Sequence, residues 1–280
     1  MTPIISVHNA LQLFATNGAR FIDCRFSLAD HDAGYRDWSQ LRITGARHLH
    51  MEHDLAGYST GSNGRHPLPT RTQFETSLRR AGICQGDTII LYDDQRLAGA
   101  ARAWWLLNYF GVSAVRILDG GFRAWRIAGG PIDATTPSSD IEHGDVKLGP
   151  ANEAFAINKK QMFAELHRRP LVDAREPPRF RGEVEPIDPI AGRIPGAINQ
   201  PWTEVTTPSG YCLPPAMQRS RWRLNAGGVE PVLYCGSGVT ASVNSLSRVI
   251  AGLSPGIIYV GSYSEWCNDP SMPIARDKRD

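Results

Sequence analysis

One short stretch near the end of the chain decides the fold. It runs Pro231-Val232-Leu233-Tyr234-Cys235-Gly236-Ser237-Gly238-Val239-Thr240-Ala241. Its first four residues are mostly apolar and β-prone, whereas the residues after position 240 place apolar side chains at helical spacing. We predict a strand over 231–234, a tight loop that opens at Cys235, and a helix over 241–250.

The cysteine of this loop has the surroundings of a reactive thiol. Gly236 and Gly238 can adopt dihedral angles that turn successive backbone N–H groups toward the sulfur of Cys235. Those donors and the positive end of the following helix favour the thiolate, which is the nucleophilic form. The alternative is a small, inert cysteine on a core strand.

The spacing around Cys235 excludes a phosphatase. Such an enzyme holds phosphate with an arginine six positions after the nucleophile, and Ala241 stands there. No Lys or Arg occurs between Cys235 and Arg248, so the loop itself offers an anion only amides and dipoles. A cysteine protease would need a histidine and an orienting group, and no spacing in the chain indicates that arrangement.

An internal repeat divides the 280 residues into two copies. The matching pairs are Phe21-Ile22-Asp23-Cys24-Arg25 with Leu171-Val172-Asp173-Ala174-Arg175, Arg42-Ile43-Thr44-Gly45-Ala46 with Arg193-Ile194-Pro195-Gly196-Ala197, and Leu91-Tyr92-Asp93 with Leu233-Tyr234-Cys235. In each copy short apolar strands alternate with helical stretches, as over 88–92, 100–110 and 114–118. This alternation predicts an α/β fold with a parallel sheet flanked by helices. We predict domains over 1–130 and 157–280, joined by a polar, Gly- and Pro-containing linker over 131–156.

Composition excludes several classes of partner. The net charge is +2, from 30 Lys and Arg against 28 Asp and Glu, which gives no case for nucleic acid. No stretch reaches the roughly 18 apolar residues of a membrane span. The five scattered cysteines predict neither a disulfide framework nor a CxxC zinc site, so we expect a cytoplasmic protein without a metal or cofactor.

The run Cys-Gly-Ser-Gly-Val-Thr-Ala from Cys235 resembles the active-site loop of the 3-mercaptopyruvate sulfurtransferases, which are close relatives of rhodanese. The resemblance spans nearly the whole chain and implies two tandem rhodanese-like domains. It implies that Cys235 carries sulfur as a persulfide, cradled by the loop amides and the hydroxyls of Ser237 and Thr240, and passes it to cyanide or a thiol such as thioredoxin. The loop residues implied in substrate binding are Gly236, Gly238, Val239 and Thr240. Asp93 replaces the cysteine in the first copy, which should therefore form no persulfide.

The same resemblance implies how the donor is held. Arg179, in Arg179-Phe180-Arg181-Gly182, matches the arginine that binds the carboxylate of 3-mercaptopyruvate. Many relatives carry a second arginine soon afterwards, where this chain has Ile187. Arg181 or Arg193 could supply the missing cation.

A proton relay is also implied. In the family a loop serine pairs with a histidine and an acidic residue, and here Ser237, His66 and Glu52 match them. Asp54 competes with Glu52 for the acidic position, and a structural role in its loop is the alternative for His66.

Two other functions stay open. One is a thiosulfate sulfurtransferase of the rhodanese type, and the other is a persulfide carrier without catalysis. Rhodanese relatives place Arg-Lys directly after the cysteine, where this chain has the neutral Gly236-Ser237. The loop therefore favours 3-mercaptopyruvate, while Ile187 favours thiosulfate.

Overall fold

A computed structural model describes residues 2–136, 142–222 and 228–277. The strands of the first half are β1 (Ile4–Ile5), β2 (Arg20–Asp23), β3 (Arg42–Ile43), β4 (Arg47–His48), β5 (Ile89–Tyr92), β6 (Val115–Leu118) and β7 (Ile132–Asp133). Those of the second half are β8 (Ala156–Ile157), β9 (Leu171–Asp173), β10 (Ala197–Asn199), β11 (Val232–Tyr234) and β12 (Ile257–Tyr259). The α-helices are α1 (Val7–Ala15), α2 (Ala33–Gln40), α3 (Arg71–Arg80), α4 (Ala98–Tyr109), α5 (Gly121–Ile127), α6 (Lys159–Glu165), α7 (Pro177–Arg181), α8 (Pro215–Arg221), α9 (Ala241–Ile250) and α10 (Ser262–Trp266).

Each half of the chain builds its own parallel sheet with the same strand order. The first sheet has the order β1-β6-β5-β2-β4, and the second has the order β8-β12-β11-β9-β10. Every pairing within these two sheets is parallel. The predicted α/β fold with two copies is confirmed, because matching strands occupy matching places.

The chain forms two compact units that exchange short segments. The first unit takes in the described residues of Met1–Gly57, Pro69–Asn152 and Thr206–Cys212. The second takes in those of Tyr58–Leu68, Glu153–Val205 and Leu213–Asp280. The predicted boundaries 1–130, 131–156 and 157–280 do not include this exchange of two segments, and they stay a prediction.

A buried ion pair repeats at the end of β2 in the first unit and at the end of β9 in the second. Arg25 Nη2 lies 2.6 Å from Asp23 Oδ2, and Arg175 Nη2 lies 2.7 Å from Asp173 Oδ2. All four residues are buried. Removing one partner would leave an uncompensated buried charge, which costs about 3–5 kcal/mol. The pair therefore fixes the chain at the carboxyl end of β2 and of β9.

The predicted strand, loop and helix around Cys235 have the predicted boundaries to within one residue. The observed strand is β11 (Val232–Tyr234), and α9 begins at Ala241. Eight of the ten residues of α9 are buried, so packing rather than helix propensity holds it. The loop is thus fixed at both ends by buried elements.

Within the described ranges, no helix is both long and apolar enough to cross a membrane. All five cysteines fall in those ranges, and none of them forms a disulfide bond.

Candidate active site

Cys235 lies directly after β11, with only 2 % of its surface exposed. Its Sγ accepts a hydrogen bond from the backbone N–H of Gly238, at 3.0 Å. Gly238 has a φ of +85°, a conformation that glycine adopts without the steric cost that other residues carry. The loop therefore turns the Gly238 N–H onto the sulfur, which is one of the successive donors that the sequence predicted.

The start of α10 holds the backbone of this loop. Ser262 Oγ accepts from the Cys235 N–H at 3.2 Å, and the Cys235 carbonyl accepts from the Tyr263 N–H at 3.0 Å. The Gly236 carbonyl accepts from the Ser264 N–H at 2.8 Å. Ser262 itself has a φ of +53°, a strained value for serine that is often found at functional sites. The reactive loop is pre-organised by these contacts.

Ser237 and His66 lie together, as the resemblance implies. His66 Nδ1 is 2.7 Å from Ser237 Oγ, and both residues are buried. His66 belongs to the segment Tyr58–Leu68, which packs in the second unit. Gly64 allows this segment to approach Gly261 closely, because a Cβ at position 64 would lie only 2.7 Å from the Gly261 carbonyl oxygen.

The other loop residues have simpler surroundings. The Val239 carbonyl accepts from the Ser242 N–H at 3.1 Å, which closes the first turn before α9. Thr240 is the N-cap residue of α9, and its side chain makes no capping hydrogen bond. The hydroxyl of Thr240 is therefore not committed to capping the helix.

Arg179 lies in α7 and is held by two carboxylates. Its Nε and Nη2 donate to Glu185 at 3.1 and 2.7 Å, and Nη2 also contacts Asp188 Oδ2 at 3.2 Å. Burial opposes ionisation of Glu185, but the hydrogen bond and charge of Arg179, together with the N–H groups of Asp188 and Ile187, lower the pKa of Glu185 below its usual value. Arg179 is therefore fixed in orientation, with its Nε and Nη2 engaged by the two carboxylates, while its Nη1 takes no part in these contacts.

A second guanidinium stands beside Arg179, and the sequence did not single it out. Arg65 Nη1 donates to Asp188 Oδ1, so Asp188 bridges Arg65 and Arg179. Burial raises the pKa of Asp188, against the pull of both arginines. A Cβ built on Gly236 would lie 2.9 Å from Arg65 Nη2 and 3.4 Å from Arg179 Nη2. The only signal in the sequence is that Arg65 directly precedes His66.

Arg181 and Arg193, the two residues expected to replace the missing arginine, pair with other carboxylates. Arg181 is exposed and donates to Glu183 at 2.6 and 2.9 Å. Arg193 donates to Asp277 at 2.6 Å, and its guanidinium carbon lies 4.5 Å from the ring centroid of Phe180. Ile187 is also exposed. Arg65, rather than either of these, stands beside Arg179 at the loop.

The two acidic candidates differ in their contacts within the first unit. The buried Asp54 carboxylate accepts from the His50 N–H at 2.8 Å, from Ser77 Oγ at 2.6 Å and from Arg80. These three donors give Asp54 a structural role at the start of the segment that precedes α3. The Glu52 carboxylate lies 3.9 Å from His31 Nδ1. Glu52 stays the predicted acidic partner of His66.

Comparison with known proteins shows the family. The protein-family model described as the rhodanese-like domain matches the chain twice, over residues 6–128 and 158–269. A Pseudomonas aeruginosa protein named "Probable 3-mercaptopyruvate sulfurtransferase" is 41% identical over 261 residues, which cover 91% of each chain. A Mycobacterium tuberculosis protein named "Putative thiosulfate sulfurtransferase" is 38% identical over 263 residues, which cover 91% of this chain and 90% of that one.

Solved structures of sulfurtransferases have the same fold as this chain. The crystal structure of the Escherichia coli 3-mercaptopyruvate sulfotransferase superposes with a TM-score of 0.81 at 26% identity, covering 94% of this chain and 99% of that one. The Leishmania major 3-mercaptopyruvate sulfurtransferase gives a TM-score of 0.83 at 26% identity, over 95% of this chain and 74% of that one. The chain therefore belongs to the rhodanese family, and it is a sulfurtransferase with two rhodanese-like domains.

Proposed function

We propose that the protein moves sulfane sulfur from 3-mercaptopyruvate, through a persulfide on Cys235, to a thiol or cyanide. The observation that carries this proposal is the loop itself. Cys235 Sγ receives the Gly238 N–H at 3.0 Å, while the next hydroxyl, that of Ser237, lies 2.7 Å from His66. The loop thus carries a buried nucleophile next to a serine, and the serine pairs with the buried His66 of another segment. Relatives named for this donor support the same activity.

In the first half-reaction the Cys235 thiolate attacks the sulfur of the donor. An S–S bond forms as the carbon–sulfur bond breaks, and the electron pair of the broken bond remains on carbon as the enolate of pyruvate. The loop donors stabilise the anionic persulfide, which replaces the thiolate in the same cradle. The donor thiol loses its proton as the anionic persulfide forms, and the enolate gains one proton on carbon to become pyruvate, so the half-reaction has no net proton change.

Ser237 and His66 are the groups we assign to that proton. Ser237 Oγ donates to the enolate carbon, and His66 Nδ1, within hydrogen-bond distance, returns a proton to the serine. We assign Glu52 as the acidic residue that orients His66. Arg179 anchors the carboxylate of the donor through its positive charge and its Nη1 N–H groups, since its Nε and Nη2 donate to Glu185 and Asp188.

In the second half-reaction an acceptor attacks the outer sulfur of the persulfide. Cyanide leaves as thiocyanate, whereas a thiol becomes a new persulfide, and in both cases the Cys235 thiolate is regenerated. We propose a protein thiol such as thioredoxin as one acceptor. The five cysteines without a disulfide suit a reducing compartment, so we place the activity in the cytoplasm.

Thiosulfate is the second candidate donor. Two guanidiniums, those of Arg65 and Arg179, flank Gly236, which suits a compact dianion better than a neutral loop alone would. A relative named for thiosulfate supports this candidate. Its first half-reaction releases sulfite and needs no protonation of carbon.

Steady-state kinetics on the purified protein with each donor, using cyanide and a thiol as acceptors, tests the proposal. We expect ping-pong kinetics and a higher kcat/KM for 3-mercaptopyruvate than for thiosulfate. A higher kcat/KM for thiosulfate would replace the first donor by the second. Absence of turnover with both donors, together with no added sulfur on Cys235 by mass spectrometry, would refute sulfur transfer through this residue.

A further inference from the structure

We propose that Arg65 is a second donor-binding residue, which acts with Arg179 to hold the anionic group of the sulfur donor above Gly236. This inference rests on the proposed function. It assigns a role to a residue that lies outside the Cys235 loop and outside the Arg179–Gly182 motif. Arg65 supplies a cation beside the loop, which has no Lys or Arg of its own. It takes the place of the second arginine for which this chain has Ile187.

The backbone of Arg65 is fixed to the same turn that fixes the reactive loop. The Arg65 N–H donates to Ser264 Oγ at 3.1 Å, and the Ser264 N–H donates to the Gly236 carbonyl at 2.8 Å. Consecutive residues Arg65 and His66 thus contact consecutive loop residues, Gly236 and Ser237. Because one short segment brings both, the cation and the histidine have a fixed spacing along the loop.

Asp188 aligns the two guanidiniums without using all their donors. Its two carboxylate oxygens accept from Arg65 Nη1 and from Arg179 Nη2, and its side chain is only 1 % exposed. Three side-chain nitrogens of these two arginines make no hydrogen bond within the described ranges. They are Nε and Nη2 of Arg65 and Nη1 of Arg179. The Arg65 side chain is 29 % exposed. Donors on both arginines therefore stay available beside the loop.

The glycine at position 236 makes room for this arrangement. A Cβ there would lie 2.9 Å from Arg65 Nη2, closer than a Cβ normally approaches a nitrogen, and 3.5 Å from Arg179 Nη1. The Arg65 guanidinium thus occupies the space that a side chain following the cysteine would take. The positive charge beside the loop therefore comes from Arg65, 171 positions before Gly236, and not from the residue next to the cysteine.

The ligand class follows from the donors. Two guanidiniums with free N–H groups fit a small anion with at least two oxygens next to the sulfur-bearing part, such as the carboxylate of a 2-oxo-3-thiol acid or the sulfonate end of thiosulfate. We expect Arg65 to contribute to binding of either donor, and to favour the carboxylate because its planar fork pairs with two coplanar oxygens.

The direct test is Arg65→Met, which keeps the apolar stem and removes the charge. We expect kcat/KM for 3-mercaptopyruvate to fall about 10- to 100-fold, mostly through KM, since a charge-assisted hydrogen bond to the donor is lost. Arg65→Lys should restore part of the loss, because a lysine keeps the charge but not the fork. Arg168→Ala, which removes an exposed arginine of the same unit, is the matched control and should leave both parameters unchanged.

Gly236→Ala gives a second test, in which the charge of Arg65 is kept in one background and removed in the other. Its Cβ meets the flexible end of Arg65 and not the backbone, and Gly236 does not have a positive φ, so the fold should persist. We expect KM to rise about 3- to 10-fold in the wild-type background and to change little in the Arg65→Met background, because contacting residues give non-additive effects. Equal effects of Gly236→Ala in both backgrounds would contradict the contact.

The two proposals fail in different ways. If Arg65→Met and Arg168→Ala both match wild type while Cys235→Ser is inactive, the role of Arg65 is refuted and sulfur transfer through Cys235 stands. If Arg65→Met lowers kcat at saturating donor with KM unchanged, Arg65 does not act by binding and the inference is refuted. If Cys235→Ser keeps its activity, the proposed function itself fails.

Discussion

In each copy a strand ends in a loop in which at least one backbone N–H group donates to the first side chain of the loop. That side chain is a cysteine in the second copy and an aspartate in the first. In the second copy the Cys235 sulfur takes one backbone N–H, from Gly238 at 3.0 Å. In the first copy the carboxylate of Asp93 takes three, from Gln95, Leu97 and Ala100, at 3.0 to 3.1 Å. Asp93 therefore occupies three donors of its loop with a carboxylate, whereas the Cys235 sulfur accepts from Gly238.

The surroundings of the two loops differ in charge. Asp94 stands at the position of Gly236, and Ala29 stands at the position of Arg179. Burial raises the pKa of Asp94. The cavity beside the first loop has a volume of only about 90 Å³, and residues 208–210 contribute to its lining. The first copy lacks the thiol, the neutral glycine and a counterpart of Arg179, and the arginines that line its cavity are Arg96 and Arg123.

The largest expected effect is the loss of activity in Cys235→Ser. Oxygen and sulfur differ little in size, so the fold should persist, but a hydroxyl cannot form the persulfide, and we expect turnover with every donor to fall by at least about 1000-fold. Cys84→Ser, in the first unit, is the control and should keep wild-type activity. Mass spectrometry after donor treatment should place the added sulfur on Cys235. Main labelling of Cys24 or Cys84 would refute the assignment.

Ser237→Ala separates the two donors. With 3-mercaptopyruvate the enolate needs a proton, so kcat should fall about 100-fold. With thiosulfate the leaving sulfite needs no proton on carbon, so the same variant should lose much less activity. Parallel kcat measurements on both donors are the check. An equal loss with both would mean that Ser237 holds the loop and does not move a proton.

Arg179→Ala gives the second copy the residue of the first at this position. We expect a loss of about 2–3 kcal/mol of transition-state stabilisation, or roughly 30- to 150-fold in kcat/KM for 3-mercaptopyruvate. Ile187→Arg should lower KM for 3-mercaptopyruvate more than for thiosulfate, because only the former presents a planar carboxylate. An Arg179→Ala variant with unchanged kinetics on both donors would refute the carboxylate pocket.

Asp93 predicts a pH dependence of stability. Burial raises the pKa of Asp93 from 3.8 to about 6, although three backbone N–H groups favour its ionised form. The folded state therefore keeps a proton that the unfolded state has lost between about pH 4 and 6. The free energy of unfolding should fall as pH rises through that window, by up to about 3 kcal/mol. Urea unfolding at several pH values should show this slope in wild type and a smaller one in Asp93→Asn; equal slopes would contradict the shift.

The smallest expected effect is that of moving the cysteine between copies. In the double variant Cys235→Ser, Asp93→Cys we expect no activity above that of Cys235→Ser alone, because Asp94 and Ala29 give the first loop a negative charge and no counterpart of Arg179. Turnover and the mass of the peptide that contains position 93 are the measurements. A persulfide at that position would show that the thiol alone makes a site.

Much of the fold was predictable from local patterns. The strand before Cys235 and the helix after it follow from apolar spacing, and both occur where predicted, as β11 and α9. The repeat of Asp23 and Arg25 as Asp173 and Arg175 predicted two copies, and both pairs form the same buried contact. Periodicity and repetition are local properties, so a sequence shows them directly.

The pairing of His66 with Ser237 was implied only by family resemblance. The two residues are 171 positions apart, and their contact at 2.7 Å depends on the packing of Tyr58–Leu68 in the second unit. The sequence carried no local sign of this exchange of segments. Asp54, which competed with Glu52 on sequence grounds, has a structural role that only its three donors show.

By itself, the sequence determined the α/β class and the duplication and predicted the reactive residue, because strand and helix periods, glycine positions and repeated motifs are properties of neighbouring residues. The tertiary structure decided the charge around the loop. Arg65 reaches Gly236 from a distant segment, while Arg181 and Arg193, nearer in sequence to Arg179, pair with Glu183 and Asp277. Long, flexible arginine side chains take the partner that packing brings within reach, and no local pattern encodes that choice.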